Sequence, residues 1–280
     1  MQSVSEVRVL LAEATARLAA AGIDTPRVDA ELLLSDVLGV SRTRLATVDD
    51  VSEDAAATFA TALDRRAQRV PLQHITGSTP FRHIELAVGP GVFVPRPETE
   101  LLVDAVLPQL PETPVLVDLC SGSGALALAL ADEVARARVV AVEHDPAALG
   151  WLRRNASGTS VEVVVGDVRD ETLLAELRGA VDAVVCNPPY VPAAADVGAE
   201  VRHDPDIAVF AGADGLALMP HVIARAAELL KRGGVLAVEH DDSHEQAVPA
   251  LLAEDGRWAA ITDHHDLTGR PRYATATRTP

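Results

Sequence analysis

The sequence predicts an α/β protein built mainly on a parallel β-sheet that is covered by helices on both faces. Continuous apolar runs alternate with helical segments from about residue 114 onward, as expected for strands buried on both sides. A glycine-rich turn joins the first of these runs to the helix that follows. The residues before about 70 show only the apolar spacing of helices, which indicates a separate helical bundle.

These patterns divide the chain into three predicted parts. Residues 1–72 form a helical N-terminal domain, with helices predicted at 4–22, 25–39 and 52–69. Residues 73–94 alternate in polarity and contain Gly and Pro, which suggests a β-hairpin linker. Residues 95–280 form the sheet domain. Its strands are predicted at 114–120, 138–144, 160–167, 181–187, 235–240, 258–263 and 273–278. Its helices are predicted at 97–110, 124–135, 146–156, 171–179, 219–234 and from residue 243.

Composition narrows the range of functions. The formal net charge is −17, and an acidic surface repels nucleic-acid backbones, so no direct nucleic-acid binding is expected. No apolar run approaches the roughly 18 residues of a membrane span, and the N-terminal segment lacks the apolar core of a signal peptide. Two cysteines cannot supply a disulfide framework or a metal site. We therefore expect a cytoplasmic protein that uses no metal and binds no membrane.

The segment "VDLCSGSGALALAL" passes from a strand through Gly122 and Gly124 into a helix. It lacks the third glycine of a dinucleotide fingerprint and the lysine of a P-loop, so it does not indicate a phosphate ligand. The next strand ends in Glu143, which can accept the hydroxyls of a ribose, and the third ends in Asp167, which can receive an adenine amino group. An adenosine without phosphate predicts S-adenosylmethionine as the cofactor.

The fourth predicted strand stops abruptly at "NPPY", residues 187–190, and should lie beside the glycine loop. Pro188 and Pro189 have no N–H, so the segment is stiff and offers mainly acceptors, the Asn187 side-chain oxygen and the Pro188 carbonyl. Two acceptors suit a planar NH2 group, and Tyr190 can lie against its flat face. The pattern predicts methyl transfer to an amide or aromatic amine nitrogen, for which no metal or dedicated base is needed.

Further segments carry a resemblance to a known family. They are "RVPLQHITG" (69–77), "VFVPRPETE" (92–100), "AGADGL" (211–216) and "DLTGRPR" (266–272). With the glycine loop and "CNPPYVP", they make the chain similar to the release-factor glutamine N5-methyltransferases (HemK/PrmC), within the class I S-adenosylmethionine-dependent methyltransferases. The resemblance covers nearly the whole chain and implies a Rossmann-like sheet domain.

The resemblance also implies roles by motif position. Asn187, Pro188, Pro189 and Tyr190 would be the catalytic residues and would hold the substrate amide. The methyl donor would be lined by Cys120, Ser121, Gly122, Ser123, Gly124, Glu143, Asp167, Val168 and Asn187. Phe93 and Arg96 would flank the substrate glutamine, or Arg96 would only brace the loop.

The implied reaction methylates the glutamine of the Gly-Gly-Gln motif in peptide chain release factors and releases S-adenosyl-L-homocysteine. The helical N-terminal domain would contact the release factor, and the enzyme would act as a monomer. Three alternatives remain open from the residues alone. They are a ribosomal-protein glutamine methyltransferase, a nucleic-acid adenine or guanine N-methyltransferase, and a non-catalytic donor-binding protein.

Some positions depart from the family pattern. Cys120 stands where Gly is usual, Glu143 where Asp is usual, and "VRHDPDIAVF" (201–210) replaces a different loop sequence. Cys120 and Cys186 should end neighbouring strands. We expect two buried and inert thiols there, and the alternative is an oxidised pair that blocks the donor pocket. The histidine-rich segments "HDDSH" (240–244) and "DHHD" (263–266) are expected to be solvated rather than to hold a metal.

Overall fold

The computed structural model describes residues 6–280, so the first two residues of the helix predicted from Val4 lie outside the described part. The chain divides into two compact units. The first runs up to Ser78 and also includes Gly198–His203, and the second comprises Thr79–Val197 and Asp204–Pro280.

The first unit is helical. It contains α1 (Glu6–Ala20), α2 (Pro26–Leu38), a 3₁₀ helix (Arg42–Thr47), α3 (Glu53–Ala67) and α4 (Leu72–Thr76). Pro26 occupies the first turn of α2, where its missing N–H costs nothing, and Gly39 ends that helix at φ 61°. The Ser52 side chain caps α3 by accepting a hydrogen bond from the Ala55 N–H. Local sequence signals therefore set the ends of these helices.

A small apolar core and a buried ion pair hold this unit together. The core includes Leu11, Leu18, Leu33, Leu34, Phe59 and Leu63, all buried. Arg66 reaches Asp29 at 2.7 Å, with both side chains almost fully buried. Glu200 accepts from Arg66 at 3.0 Å and from Arg69 at 2.7 Å. Glu200, which lies within Gly198–His203, is thus bound to two arginines of the helical unit.

A two-stranded sheet, β1 (Ser78–Phe81) and β2 (Ile84–Ala87), lies where the hairpin is predicted, and all of it except Ser78 belongs to the second unit. Seven further strands within the described residues form the main sheet. They are β3 (Val115–Leu119), β4 (Arg138–Glu143), β5 (Glu162–Val165), β6 (Val181–Cys186), β7 (Leu230–Glu239), β8 (Trp258–His265) and β9 (Pro271–Arg278). The strand order is β5-β4-β3-β6-β7-β9-β8. The first five run parallel, and β9 is antiparallel to both β7 and β8.

Helices cover both faces of this sheet. They are α5 (Glu100–Val106), α6 (Ala125–Glu133), α7 (Pro146–Ala156), α9 (Met219–Leu229) and α10 (Ala247–Asp255), and the short α8 (Asp206–Val209) lies in the segment between β6 and α9. Alternate strand residues such as Leu116 and Ala141 pack with α5, α6 and α7 on one face. Their neighbours Val117 and Val140 pack with α9 and α10 on the other. The central strands are mostly apolar because both faces of the sheet are buried, and the predicted α/β fold is confirmed.

Three predicted elements differ in detail. Residues 171–179 form turns and a short 3₁₀ helix (Ala175–Leu177) instead of a helix, because Leu174 adopts a left-handed φ of 53° while Leu173 and Leu177 are buried. The boundary between the helix predicted at 219–234 and the strand predicted from 235 lies five positions earlier, because α9 ends at Leu229 and β7 starts at Leu230. The helix predicted at 97–110 is split into 3₁₀ turns at each end of α5. Among the described residues, no helix is long and apolar enough to cross a membrane.

Candidate active site

The candidate site lies where the strand order reverses. The strands β4 and β5 lie on one side of β3, whereas β6 and β7 lie on the other. Leu119 at the end of β3 is aligned with Val142 of β4 and with Cys186 of β6. The loops that follow these three strands therefore meet at the carboxyl edge of the sheet, which is the ligand crevice of open α/β folds.

The glycine loop after β3 is a tight turn. Gly122 and Gly124 have φ angles of 57° and 91°, a region that residues with a Cβ avoid. A Cβ on Gly124 would come within 2.7 Å of Leu152 Cδ1, whereas a Cβ on Gly122 would meet nothing within 4 Å among residues 6–280. Gly124 is thus needed for packing against α7, and Gly122 borders open space.

Cys120 adopts φ 61°, which explains why glycine is usual at this position. The two cysteines are free thiols in the described part of the chain, with Cys186 buried and Cys120 half-buried. Burial raises the pKa of the Cys186 thiol well above its usual value, and contact with Cys120 adds to the shift. A protonated buried thiol is a poor nucleophile, which favours the expectation of inert thiols over a regulatory pair.

Asn155 of α7 links the glycine loop to the end of β2. Its Nδ2 donates to the Ser123 carbonyl and to the Ala87 carbonyl, both at 2.9 Å. Its Oδ1 accepts from the Ala87 N–H at 2.9 Å. Ser121 contributes a further tie, since its hydroxyl donates to the Asp118 carbonyl at 3.0 Å. The predicted loop residues are therefore brought together on a rigid support.

Glu143 ends β4 next to this loop. Its Oε2 accepts from the Gly122 N–H at 2.8 Å. Its Oε1 accepts from the N–H groups of His144 and Asp145, each at 2.7 Å. A carboxylate offers about four lone-pair sites, so Oε2 keeps capacity for a further donor.

Asp167 follows β5 at the far side of the crevice. Arg169 binds its carboxylate with two nitrogens, at 2.9 Å to Oδ1 and 2.5 Å to Oδ2. The hydrogen bonds from Arg169 lower the pKa of Asp167 to about 2. Val168 is buried behind it, and Gly166 leaves room for Leu173, whose Cδ1 lies 2.4 Å from the position of a Cβ there. Asp167 is ionised but already paired with an exposed arginine.

Asp118 is a buried carboxyl close to the glycine loop and Glu143 that the sequence did not indicate. Its Oδ2 accepts from the Ala127 N–H at 3.2 Å, whereas its buried Oδ1 has no partner among the described residues. Burial raises the pKa of this carboxyl to about 7, and the nearby charge of Glu143 acts in the same direction. A carboxylate inside an otherwise apolar strand is the signal that could have revealed it.

Asn187 stands at the end of β6, across the crevice edge from the glycine loop. Its Nδ2 donates to the Thr99 hydroxyl at 3.1 Å. The same hydroxyl donates to Oε2 of Glu239 at 2.7 Å. Thr99 and Glu239 are both buried, and neither was singled out in the sequence. The amide of Asn187 is thus held by its NH2 end.

Tyr190 shares the carboxylate that binds Thr99. Its hydroxyl donates to Oε1 of Glu239 at 2.9 Å. Burial raises the pKa of the Tyr190 phenol well above its usual value, and the charge of Glu239 adds to the shift. Gly215, at φ 79°, packs against the loop, because a Cβ there would lie 2.1 Å from the Tyr190 carbonyl oxygen. Of the two prolines between Asn187 and Tyr190, Pro188 is buried and Pro189 is half-buried.

Phe93 and Arg96 lie together before α5. The Arg96 guanidinium carbon sits 4.9 Å from the centre of the Phe93 ring. Arg96 also donates to Oδ2 of Asp204 at 2.8 Å, and that carboxylate is buried. Asp204, in the loop that departs from the family pattern, is a further residue that the sequence did not indicate. These contacts hold Arg96 in place, and its role in flanking the substrate glutamine stays a prediction.

The expectation that the histidine-rich segments are solvated is wrong for His240 and His244, which are both buried. His240 is buried between the Asp241 carbonyl and Asp263, each at 2.8 Å. His244 contacts the Asp214 carbonyl at 2.9 Å. Ligand atoms of Glu245, Asp263 and His265 do lie within 4.8 Å of one another. Two of these three residues are exposed, and such surface groups are common without a metal.

Comparison with known proteins places this geometry in a family. A model of the PrmC N-terminal domain matches residues 9–77, and a methyltransferase small domain matches residues 84–204. The release factor glutamine methyltransferase of Mycolicibacterium smegmatis is 53% identical and covers 98% of this chain and 99% of its own. The release factor glutamine methyltransferase of Streptomyces coelicolor is 50% identical, and the match covers 95% of this chain and 96% of that protein.

The chain belongs to the release factor glutamine methyltransferase family. The resemblance stated from the sequence is confirmed. Among solved structures, a methyltransferase from Pyrococcus furiosus matches with a TM-score of 0.52 at 14% identity, covering 70% of this chain and 89% of the other. This likeness concerns the fold alone.

The residues of this family member fit a bound S-adenosylmethionine. Gly122 borders open space at the carboxyl edge, so a ligand can approach its backbone closely. Oε2 of Glu143 keeps acceptor capacity for a hydroxyl. The buried Oδ1 of Asp118 lacks a partner among residues 6–280, and a donor group of the ligand would satisfy it.

Proposed function

We propose that this protein transfers the methyl group of S-adenosylmethionine to the side-chain amide nitrogen (N5) of the glutamine in the Gly-Gly-Gln motif of peptide chain release factors. Family membership supports this function. The observation that carries it is the orientation of Asn187. Because its NH2 end is bonded to Thr99, its oxygen is left to accept a hydrogen bond from a substrate NH2 group.

We assign the donor site to the loops at the ends of β3, β4 and β5. Its residues are Cys120, Ser121, Gly122, Ser123, Gly124, Glu143, Asp167 and Val168, with Asn187 at its border. When bound, S-adenosylmethionine supplies a methyl group on a positively charged sulfur, which is a strong electrophile. Glu143 would hold the ribose, and Asp167 would exchange Arg169 for the adenine amino group.

The substrate amide would be held by Asn187, Pro188, Pro189 and Tyr190. The Asn187 oxygen and the Pro188 carbonyl accept its two N–H groups, and the two prolines keep these acceptors rigid. The Tyr190 ring lies against the flat face of the amide. Its hydroxyl is tied to Glu239, so the ring is fixed before the substrate arrives.

Positioning is the main catalytic contribution in this proposal. An amide nitrogen is a weak nucleophile because its lone pair is delocalised. Two accepted hydrogen bonds favour a more pyramidal nitrogen and aim the lone pair at the methyl carbon. Holding the reactants in line can lower a barrier by about 7–11 kcal/mol. The nitrogen loses its extra proton to water after transfer.

Recognition of the protein substrate is assigned to the helical N-terminal domain, predicted as residues 1–72. Phe93 and Arg96 would flank the glutamine in the sheet domain. The proposal includes a monomeric enzyme that acts in the cytoplasm, where release factors work, without direct contact with nucleic acid or membrane. The formal net charge of −17 supports the nucleic-acid part of this statement.

The test offers labelled S-adenosylmethionine to four candidate substrates. They are a release factor, its Gln-to-Ala variant at the Gly-Gly-Gln motif, a ribosomal protein and duplex DNA. We expect label in the release factor and none in its variant. Label in the ribosomal protein alone would identify a ribosomal-protein glutamine methyltransferase instead. Label in DNA alone would identify a nucleic-acid adenine N-methyltransferase, and either result would overturn the proposal.

A further inference from the structure

A buried carboxylate lies directly behind the Asn187 and Tyr190 side chains. Glu239 is the last residue of β7, and its exposed fraction is 1%. Because Val238 is aligned with Cys186 of β6, Glu239 stands beside Asn187 at the carboxyl edge. The reaction as proposed above does not require this group, and a buried charge is costly unless it is bonded.

Both oxygens of Glu239 receive hydroxyl donors. Thr99 donates to Oε2 at 2.7 Å, and Tyr190 donates to Oε1 at 2.9 Å. The Thr99 hydroxyl has one proton, which this bond uses. Its oxygen can therefore only accept from Asn187, whose Nδ2 lies 3.1 Å away.

This order of donors leaves the Asn187 amide a single satisfied orientation. A flipped amide would point its oxygen at the Thr99 oxygen, with no proton between them. Hydrogen bonds in such a series also polarise one another in a low-dielectric interior. Burial raises the pKa of Glu239, whereas the hydrogen bonds from Thr99 and Tyr190 and the charge of Arg272 favour its ionised form. In that form it makes the Asn187 oxygen at the other end a stronger acceptor.

We propose that Glu239 and Thr99 are positioning residues that set the direction of the Asn187 amide for the methyl-accepting group. The series runs from Glu239 through Thr99 to Asn187, and its free end faces the substrate N–H. Glu239 also fixes Tyr190. A single carboxylate thus positions two residues of the substrate-binding segment 187–190, which we call the platform. The inference rests on the proposed function, since it concerns how the amide substrate is held.

The test compares Thr99→Val, Thr99→Ser and Glu239→Gln with the wild-type full-length protein. Thr99→Val keeps the shape of the side chain but removes the acceptor for Asn187. We expect kcat on the release factor to fall about ten- to a hundredfold. The Kd for S-adenosyl-homocysteine should stay within about threefold, and Thr99→Ser should restore most of kcat. Thr275→Val is the matched control, because it removes a hydroxyl bonded to His264 away from the platform.

Glu239→Gln tests the direction of the series. The new amide has one accepting and one donating end, so only one of the Thr99 and Tyr190 hydroxyls keeps its acceptor. With the NH2 toward Thr99, the Thr99 proton turns toward Asn187 and the Asn187 amide flips. With the NH2 toward Tyr190, the Tyr190 hydroxyl loses its acceptor, and in both cases kcat should fall. Wild-type kcat in either variant, or no rescue by Thr99→Ser, would overturn the proposal.

A readout without turnover separates this inference from the proposed function. In the ¹⁵N-labelled protein, the Asn187 side-chain NH2 resonances are identified by their loss in Asn187→Ala. They should shift in Thr99→Val and in Glu239→Gln but not in Thr275→Val. If the wild type methylates no release factor, the proposed function fails while these shifts still decide the series. If the Asn187 NH2 resonances do not shift in the two variants while the wild type methylates the release factor normally, the Glu239–Thr99–Asn187 series is overturned and the proposed function stands.

Discussion

The two halves of the crevice hold their polar groups in different ways. On the side of the methyl donor, Glu143 accepts hydrogen bonds from backbone N–H groups, and Asp167 is paired with the exposed Arg169. On the side of the methyl-accepting substrate, Tyr190 is bonded directly to the buried Glu239, and Asn187 is bonded to it through Thr99. The first set lies at the surface, and the second reaches into the core.

This difference matches what each half has to do. A methyl donor that carries a reactive positive sulfur needs to be bound, and half-buried carboxylates at the crevice edge can exchange their partners when it arrives. A weakly nucleophilic amide needs to be oriented, and orientation requires groups that do not move. We therefore expect changes on the acceptor side to reduce turnover, and changes on the donor side to alter affinity or stability.

The largest expected effect comes from removing the acceptor at residue 187. Asn187→Ala should reduce kcat by about 10²–10³-fold, because the substrate amide loses one of its two acceptors. The Kd for S-adenosyl-homocysteine should change by no more than a few fold, since donor binding depends on the other half. Single-turnover kinetics and calorimetric titration measure the two quantities. A comparable loss of donor affinity would show that the two halves are not separate.

The second effect concerns Asp118, whose pKa burial raises from 3.8 to about 7. Between these values the unfolded chain releases the proton while the folded chain keeps it, so this group makes folding less favourable as pH rises. A shift of this size corresponds to at most about 4 kcal/mol. Relative to wild type, Asp118→Asn should therefore gain stability between pH 4.5 and 8, as urea denaturation without ligand would measure.

The wild type and Asp118→Asn share all other titrating groups, so the contributions of those groups cancel in the difference in unfolding free energy. A constant difference in unfolding free energy across that pH range would mean that Asp118 is ionised throughout. In that case its unpartnered oxygen would carry a charge in the free enzyme, and the donor side would be more strongly preformed than we infer.

The same division appears in what the sequence could predict. Apolar runs bounded by glycine, asparagine or aspartate located β3 to β6, and "NPPY" was correctly expected beside the glycine loop. Thr99 and Glu239 were missed because they are 140 residues apart and each looks ordinary in its own segment. Only the strand order brings them together. The helix predicted at 171–179 was wrong because burial of its leucines outweighed local helix propensity.

A third effect distinguishes two glycines of the same loop. Gly124→Ala combines a φ of 91° with a Cβ only 2.7 Å from Leu152 Cδ1, so it should cost about 2–4 kcal/mol of stability. Gly122→Ala has the strained φ of 57° but no neighbour within 4 Å in the described chain, so it should cost about 1 kcal/mol.

The order should reverse for ligand binding. In the donor site as proposed, the Gly122 Cβ would occupy space next to the donor, so S-adenosyl-homocysteine affinity should fall further in Gly122→Ala than in Gly124→Ala. Thermal unfolding and calorimetric titration of both variants test this. Equal losses of affinity in the two variants would indicate that the loop acts only through its backbone shape.

The smallest expected effect tests whether donor-side carboxylates exchange their partners. Arg169→Ala leaves Asp167 without its bidentate partner, and the pKa of Asp167 then rises from about 2 toward its usual value while the group stays ionised at neutral pH. The freed carboxylate should bind the adenine amino group without first releasing an arginine. We expect S-adenosyl-homocysteine to bind about two- to fivefold more tightly, in keeping with the weak net effect of exposed ion pairs.

Arg138→Ala is the matched control for this change. Arg138 forms a similar two-nitrogen pair with Glu162, at 2.8 and 3.0 Å, but at the amino ends of its strand and of β5. Its removal should leave donor affinity unchanged. Weaker binding in Arg169→Ala, with Arg138→Ala unaffected, would mean that Arg169 itself contacts the donor. The donor half would then also depend on a fixed side-chain partner, and the contrast between the two halves would not hold.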